Sequence, residues 1–190
     1  MKLAKAWGLS LALVLGACAG GPPVMTTGDR YNAVPETTDT YRLGSEDKIR
    51  IAIYNEPQLS GDYIVGSDGT IALPLIGDIN IGGKSTSDAA IEIQNALSRG
   101  FLHNPRVAIT MEIYRPIYII GEVKLPGTYP YSPGISAWDA IAKGGGLTPR
   151  GKRGQIWIRK PGEQAETLYA LKPSLRVYPG DTIRVPERFF

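Results

Sequence analysis

The sequence has almost none of the side chains that most often bind metals or act as thiol nucleophiles. Its 190 residues include one cysteine, Cys18, and one histidine, His103. A lone cysteine cannot form an intramolecular disulfide, so the fold must depend on an apolar core. The same scarcity excludes a zinc site built from cysteine and histidine. A cysteine–histidine dyad in the folded part is excluded too, because Cys18 lies close to the N-terminus.

Excess charge and long apolar runs are also scarce. Lys and Arg number 21 against 18 Asp and Glu, a formal net charge of +3, which gives no reason to expect nucleic acid as a partner. In the folded part the longest uncharged stretch covers residues 125–138 and contains three prolines. Because proline interrupts a helix, this stretch is not predicted to span a membrane.

No pattern typical of an enzyme is present. The serines lie in predicted turns and helix caps, and none occupies a Gly-x-Ser-x-Gly motif. Residues 77–85 (GDINIGGKS) lie between a predicted strand and a predicted helix, but their glycine spacing differs from that of a phosphate-binding P-loop. We therefore predict a protein that is not an enzyme, with no catalytic residues, no cofactor and no metal site.

The N-terminus resembles a bacterial lipoprotein signal with its lipobox. Lys2 and Lys5 form a positive n-region, and residues 6–15 form an uncharged h-region. Small residues then precede the cysteine, so cleavage is predicted between Ala17 and Cys18, with Cys18 becoming an N-acylated S-diacylglycerol cysteine. The apolar run is too short for a transmembrane helix, which takes about 20 residues. The alternative is an ordinary secretory signal with an incidental cysteine.

Composition and apolar periodicity divide the chain into four segments. Residues 1–17 are the predicted signal peptide. Residues 18–40 are rich in glycine, proline and threonine without apolar periodicity, which predicts a lipidated flexible tether. Two small domains are predicted over residues 41–115 and 116–190, with Pro116 at their boundary.

The same α+β pattern is predicted in both domains. In the first, strands surround an Asp68-Gly69 turn as a hairpin. Ser85 caps a helix whose apolar face includes Ala90, Ile93, Leu97 and Phe101, and a strand covers residues 107–113. In the second, Ser136 caps a short helix that three glycines end, and the strands are predicted at residues 117–123, 128–131, 156–159, 167–170 and 182–185. Strands dominate with one helix per domain, so the fold class is α+β.

One loop concentrates positive charge. Residues 150–154 (RGKRG) carry Arg150, Lys152 and Arg153 among glycines. Such a loop is a candidate surface for an acidic polymer or a neighbouring subunit, and a purely solvated loop is the alternative.

Several ordered motifs resemble the polysaccharide export family of outer-membrane capsule and exopolysaccharide exporters. The motifs of its polysaccharide export domain are similar to YRLGSEDKIRI (residues 41–51), PQLSG (57–61) and DGTIALPLIG (68–77). The motifs of its soluble-ligand-binding β-grasp (SLBB) module are similar to GEVKLPG (121–127), WDAIAKGGG (138–146) and YPGDTIRVP (178–186). The family's usual Gly-Pro-Gly-Asp opening is replaced here by Gly-Ser-Glu-Asp at residues 44–47.

The resemblance implies a fold, a location and a set of partners. The fold is a small polysaccharide export domain of strands and one helix, followed by a β-grasp-like SLBB domain. The chain resembles the short members, which have one copy of each module and no C-terminal spanning helix. The implied protein is lipid-anchored in the cell outer membrane, with its folded part in the periplasm.

The implied function is a component of an export conduit that passes capsular polysaccharide or exopolysaccharide across the outer membrane. The implied partners are the polysaccharide, further copies in a homo-oligomeric ring, an inner-membrane chain-length regulator or co-polymerase, and a separate outer-membrane pore protein, with no nucleic acid. One rival is a monomeric periplasmic lipoprotein that binds a small ligand or glycan through its β-grasp domain. A second rival is an envelope-modifying enzyme, which no residue pattern supports.

Overall fold

The computed structural model describes Met25, residues 29–31 and residues 41–188. The buried apolar residues form two clusters that follow each other along the chain. One contains residues between 41 and 97, and the other contains residues between 117 and 185. Each half of the described chain therefore has its own core.

The first half contains five strands and one long helix. These elements are β1 (Lys48–Ile53), β2 (Gly61–Ile64), β3 (Thr70–Leu73), β4 (Gly77–Asn80), α1 (Thr86–Ser98) and β5 (Val107–Ile113). Strand β1 lies between β2 and β5 in an antiparallel sheet, and β3 pairs with β4 in a separate two-stranded sheet.

Apolar spacing explains which faces of β1 and α1 are buried. Ile49, Ile51 and Ile53 alternate with exposed residues along β1, as a half-buried strand requires. Helix α1 buries Ile93 and Leu97, four residues apart on one face. Its predicted cap is confirmed, because the Ser85 side chain accepts a hydrogen bond from the Asp88 amide at 3.0 Å.

Two local predictions for this half are wrong. Strand β2 pairs with β1 rather than with β3, so the predicted hairpin around Asp68-Gly69 does not form. Alternation identifies a strand but does not select which neighbouring strand pairs with it. Phe101 does not belong to the buried face of the helix as predicted. It is 50% exposed because α1 ends before it, and Gly100 adopts a left-handed φ of 106°.

The second half is a five-stranded mixed sheet with one short helix. Its elements are β6 (Ile117–Gly121), β7 (Gly127–Tyr129), α2 (Ala137–Lys143), β8 (Gln155–Arg159), β9 (Thr167–Ala170) and β10 (Thr182–Val185). The sheet order is β7-β6-β10-β8-β9, with β6 and β10 parallel and every other pair antiparallel. This order with a parallel central pair is the β-grasp arrangement, and the predicted α+β class is confirmed.

Helix α2 follows its sequence signals closely. The Ser136 hydroxyl accepts from the Asp139 amide at 3.2 Å, while the Asp139 carboxylate accepts from the Ser136 amide at 3.0 Å. This reciprocal pair is a capping box, and Gly144 ends the helix as predicted. The helix buries Ala137, Ala140 and Ile141 in the second core.

The predicted tether contains one ordered turn. Residues Asp29–Tyr31 form a single 3-10 turn, and Arg30 is buried in the second half of the molecule. The prediction of a flexible tether is therefore wrong at these three residues. Arg30 pairs with Asp181, and the Tyr31 hydroxyl donates to the Ala170 carbonyl at 2.7 Å. Cys18 and the predicted signal peptide lie outside the described residues.

Candidate functional site

The two halves meet at a pair of turns with the same geometry. In residues 44–47 the Asp47 amide donates to the Gly44 carbonyl at 3.2 Å, and the Gly44 amide donates to the Asp47 carboxylate at 2.8 Å. In residues 178–181 the Asp181 amide donates to the Tyr178 carbonyl at 3.1 Å, and the Tyr178 amide donates to the Asp181 carboxylate at 2.8 Å. Each turn leads directly into a strand, β1 or β10.

The third position of each turn has a left-handed backbone. Gly180 has a φ of 82°, and Glu46 has a φ of 72°. A residue with a Cβ adopts this conformation at a cost of about 1–2 kcal/mol. Glu46 occupies the position where the family motif has glycine, so the turn keeps its geometry despite the substitution. The hydrogen bonds of the Asp47 carboxylate hold it there.

Asp47 is a buried acceptor that ties the first half to the start of the second. Its carboxylate accepts from the Tyr41 hydroxyl at 2.7 Å, from the Gly44 amide at 2.8 Å and from the Arg115 amide at 2.8 Å. Arg115 lies between β5 and β6, where the chain crosses from one core to the other. One carboxylate therefore sets both the turn and the path of the crossing segment.

Asp181 plays the equivalent role in the second half, with a charged partner. The Arg30 guanidinium binds both Asp181 carboxylate oxygens, with Nη2 to Oδ1 at 3.1 Å, and both side chains are buried. The guanidinium carbon lies 4.9 Å from the Tyr178 ring centroid and 5.6 Å from that of Tyr169, within cation–π range. Burial raises the pKa of the Asp181 carboxyl, and Arg30 acts in the opposite direction.

The Arg115 side chain spans the two turns. Its Nε donates to the Pro179 carbonyl at 3.1 Å, while its backbone amide is held by Asp47. A Cβ added to Gly44 would lie 1.5 Å from Arg115 Nη1, so the guanidinium occupies the space that a side chain at position 44 would need. Arg115 thus packs on one turn and hydrogen-bonds to the other.

Two cavities lie beside Arg115 at this junction. The larger, about 370 Å³, is lined by residues of both halves and by Arg30. The smaller, about 280 Å³, shares Arg115, Lys160 and Pro161 with the larger one and extends to the Glu46 turn. The junction therefore offers a concave surface to which both halves and the N-terminal turn contribute.

The residues proposed from sequence as a basic surface lie elsewhere. Arg150, Lys152 and Arg153 are exposed, and none of them lines the two junction cavities. The Arg150 Nε donates to the Glu187 carboxylate at 2.7 Å, so part of the positive charge of the loop is neutralised. His103 is exposed in the loop before β5. Among the described residues, no group of three or more His, Cys, Asp or Glu side chains is arranged to hold a metal ion.

Neither Arg30 nor Arg115 could be recognised from the sequence as a residue of this site. The segment around Arg30 has no apolar period, so nothing local distinguishes its arginine from a solvated one. A weak signal existed for the paired turns, since Asp47-Lys-Ile-Arg and Asp181-Thr-Ile-Arg are similar tetrapeptides at the starts of β1 and β10. Comparing these two segments would have pointed to two buried aspartates.

Two family profiles match the chain in succession. The family described as polysaccharide biosynthesis/export protein matches residues 35–112, and the SLBB domain matches residues 116–168. The junction around Arg115 lies where one match ends and the next begins. The two domains therefore occur in the predicted order, and their family relationship is confirmed.

Curated proteins similar to this chain are named for the production, export or transport of polysaccharides. The exopolysaccharide production protein ExoF of Rhizobium meliloti is 39% identical over 64% of this chain and 31% of the relative. The EPS I polysaccharide export outer membrane protein EpsA of Ralstonia solanacearum is 29% identical over 80% of this chain and 42% of the relative. The polysialic acid transport protein KpsD of Escherichia coli is 26% identical over 63% of this chain and 22% of the relative. The chain thus spans less than half the length of these relatives.

Replacing Asp47 tests its role as a structural hub. Asp47→Ala leaves the Tyr41 hydroxyl and the Gly44 and Arg115 amides without their acceptor, and each unsatisfied buried donor costs about 1–3 kcal/mol. We expect a loss of at least about 2 kcal/mol in the free energy of unfolding, measured by urea denaturation followed by circular dichroism. Asp78→Ala, at an exposed position on β4, is the control and should change little. Equal losses in the two variants would contradict the assigned role.

A double-mutant cycle tests the contact of the N-terminal turn. Arg30→Ala leaves the buried Asp181 carboxylate unpaired, so we expect a loss of about 3–5 kcal/mol in unfolding free energy. The double variant Arg30→Ala/Asp181→Ala should lose clearly less than the sum of the single losses. The more exposed Lys84–Glu92 pair is the control, with a coupling energy below about 1 kcal/mol. Equal coupling in both cycles would mean that the turn is not anchored by Asp181.

Proposed function

By its polysaccharide export domain and its SLBB domain this chain belongs to the polysaccharide export protein family, and from that premise we propose that it forms part of an export conduit. The conduit passes capsular polysaccharide or exopolysaccharide across the outer membrane. The observation that carries the proposal is the succession of the two domains, joined at the Arg115 junction. Relatives named for polysaccharide export or transport support the same substrate class.

A conduit makes specific physical demands on its components. A hydrophilic polymer needs a polar passage whose contacts are weak and repeated, because tight binding at one point would stop its movement. No bond of the polymer has to be made or broken. What the protein must supply is shape, and the buried hydrogen bonds of Asp47 and Asp181 give the domain pair a defined shape.

We place the contacts between copies on the face formed by α1 and β5. Strand β5 is at the edge of its sheet within the described residues, and an unpaired edge can accept another chain. Beside it, Ile91 and Ile113 are each 57% exposed, and a groove of about 540 Å³ runs between α1 and β5. Contact between this face and a different face of the next copy gives a heterologous interface, which closes into a ring when the rotation allows.

We further propose that Cys18 carries lipid and anchors the protein to the outer membrane from the periplasmic side. Arg30, which is docked in the second half, follows Cys18 by twelve positions, and twelve extended residues span about 40 Å at most. The second half would therefore lie within that distance of the membrane surface. Acyl chains hold a protein on a leaflet without opening a path through it.

The described part of the chain contains no helix with the length and apolar character needed to cross a bilayer. We propose two partners for the lipid-anchored conduit component. A separate outer-membrane pore protein completes the exit, and an inner-membrane regulator of chain length delivers the polymer.

Ring assembly is tested by placing a charge on the proposed contact face. We expect Ile91→Lys to reduce the mass of the assembly extracted in mild detergent, because a buried charge without a partner opposes association. Light scattering coupled to size-exclusion chromatography measures that mass. Leu125→Lys is the control, since Leu125 is 61% exposed in a turn of the second half. A wild-type protein that stays monomeric would favour a ligand-binding lipoprotein over a conduit component.

The export function is tested by deleting the gene and restoring it on a plasmid. We expect deletion to abolish the surface polysaccharide, measured as cell-associated and released polymer, and the wild-type gene to restore it. Cys18→Ser cannot be lipidated, so the protein should move from the membrane fraction to the soluble periplasmic fraction and export should fall. Unchanged surface polymer after deletion would overturn the proposed function. Normal export by soluble Cys18→Ser protein would overturn only the need for the anchor.

A further inference from the structure

The larger junction cavity has an excess of positive charge. Four of its lining residues are cationic, Arg30, Arg42, Arg115 and Lys160, while Glu163 and Asp181 are its two carboxylates. The Arg30–Asp181 pair is internally neutral. The Lys160–Glu163 pair is loose, at 3.6 Å, and about half exposed. Arg42 forms an exposed ion pair with Asp88, which lies outside the lining, at 3.4 Å. The lining itself has a formal charge of +2, which favours an anionic occupant.

Arg115 presents the donors best suited to such an occupant. Its Nε is used by the Pro179 carbonyl, and among the described residues its guanidinium forms no ion pair with a carboxylate. The side chain lines both junction cavities, and its guanidinium carbon lies 5.8 Å from the Tyr41 ring centroid. A guanidinium binds a carboxylate through two parallel hydrogen bonds, which provides geometric specificity as well as affinity.

The remaining lining favours a ring-shaped organic molecule over a small inorganic anion. The half-buried Tyr178 ring and the exposed Pro161 ring contribute apolar surface beside the cations. A volume of about 370 Å³ lies at the lower end of the range of small-molecule sites, about 300–1,000 Å³. Such a cavity accommodates one or two sugar rings.

We propose that this cavity binds a carboxylate-bearing sugar residue of the polymer, of the uronic acid class. The carboxylate pairs with the Arg115 guanidinium, while Arg42 and Lys160 contribute additional positive charge. The inference rests on the proposed export function, which supplies a polysaccharide as the molecule that reaches this surface. Binding is weak, with a dissociation constant on the order of 1 mM, as transit through a conduit requires.

The test is a titration of the purified protein with trigalacturonate, followed by NMR chemical shifts. We expect saturable shifts at Tyr178 and Arg115 and no saturation with the neutral trisaccharide maltotriose. The double variant Arg42→Gln/Lys160→Gln should bind trigalacturonate at least about tenfold more weakly. The control variant Lys152→Gln/Arg153→Gln removes the same charge from the loop outside the cavity and should bind as the wild type does.

Several outcomes would overturn the inference. The cavity is not a sugar site if trigalacturonate fails to saturate, or if inorganic phosphate produces the same shifts at the same concentration. Equal weakening in both double variants would indicate general electrostatic attraction. Because binding is measured on isolated protein, a negative titration leaves the deletion result intact. Loss of surface polymer on deletion together with no binding would refute this site alone.

Discussion

The structure depends on two buried carboxylates that each close a turn and hold a neighbouring segment. Asp47 binds the Arg115 amide, and Asp181 binds the Arg30 guanidinium. A buried carboxylate is stable only when its oxygens are fully hydrogen-bonded, so each aspartate requires its partners to be in place. The crossing segment and the N-terminal turn are therefore positioned by the same requirement. The two turns have similar geometry because each uses a carboxylate to bind back to the start of its own turn.

The same constraint positions Arg115 at the proposed binding surface. Its backbone is needed by Asp47 and its Nε by Pro179, which holds the guanidinium between the two halves without neutralising it. A cation that is held in place, with no carboxylate partner in the part of the chain that the structure describes, is already oriented for an anion, so binding requires little reorganisation. An export conduit benefits from such sites only if they are weak and repeated. In the proposed ring of identical subunits, each copy would contribute one junction, so the site would be repeated.

Much of the fold could be predicted from local patterns. The Ser85 cap of α1, the capping box of α2 and the glycines that follow the helices act over a few residues, and alternation in β1 reflects one buried face. Strand pairing could not be predicted in the same way. Strand β2 pairs with β1, and β6 pairs in parallel with β10, although the paired residues are more than 60 positions apart in the chain. Such choices depend on how whole surfaces pack. The candidate site was missed for the same reason, because Arg30, Arg115 and Asp181 are far apart in sequence.

The sequence by itself determined the family of the protein and the order of its two domains. One cysteine, one histidine and no nucleophile motif argued against most catalytic sites, and six ordered motifs identified the family that the comparisons confirm. Only the tertiary structure decided where charge is left unpaired. A sequence lists 21 basic residues without showing which are neutralised, since pairing depends on distances between remote segments. Folding buries Arg30 against Asp181 and leaves Arg115 at the junction, because only the packed halves bring these groups within a few ångströms.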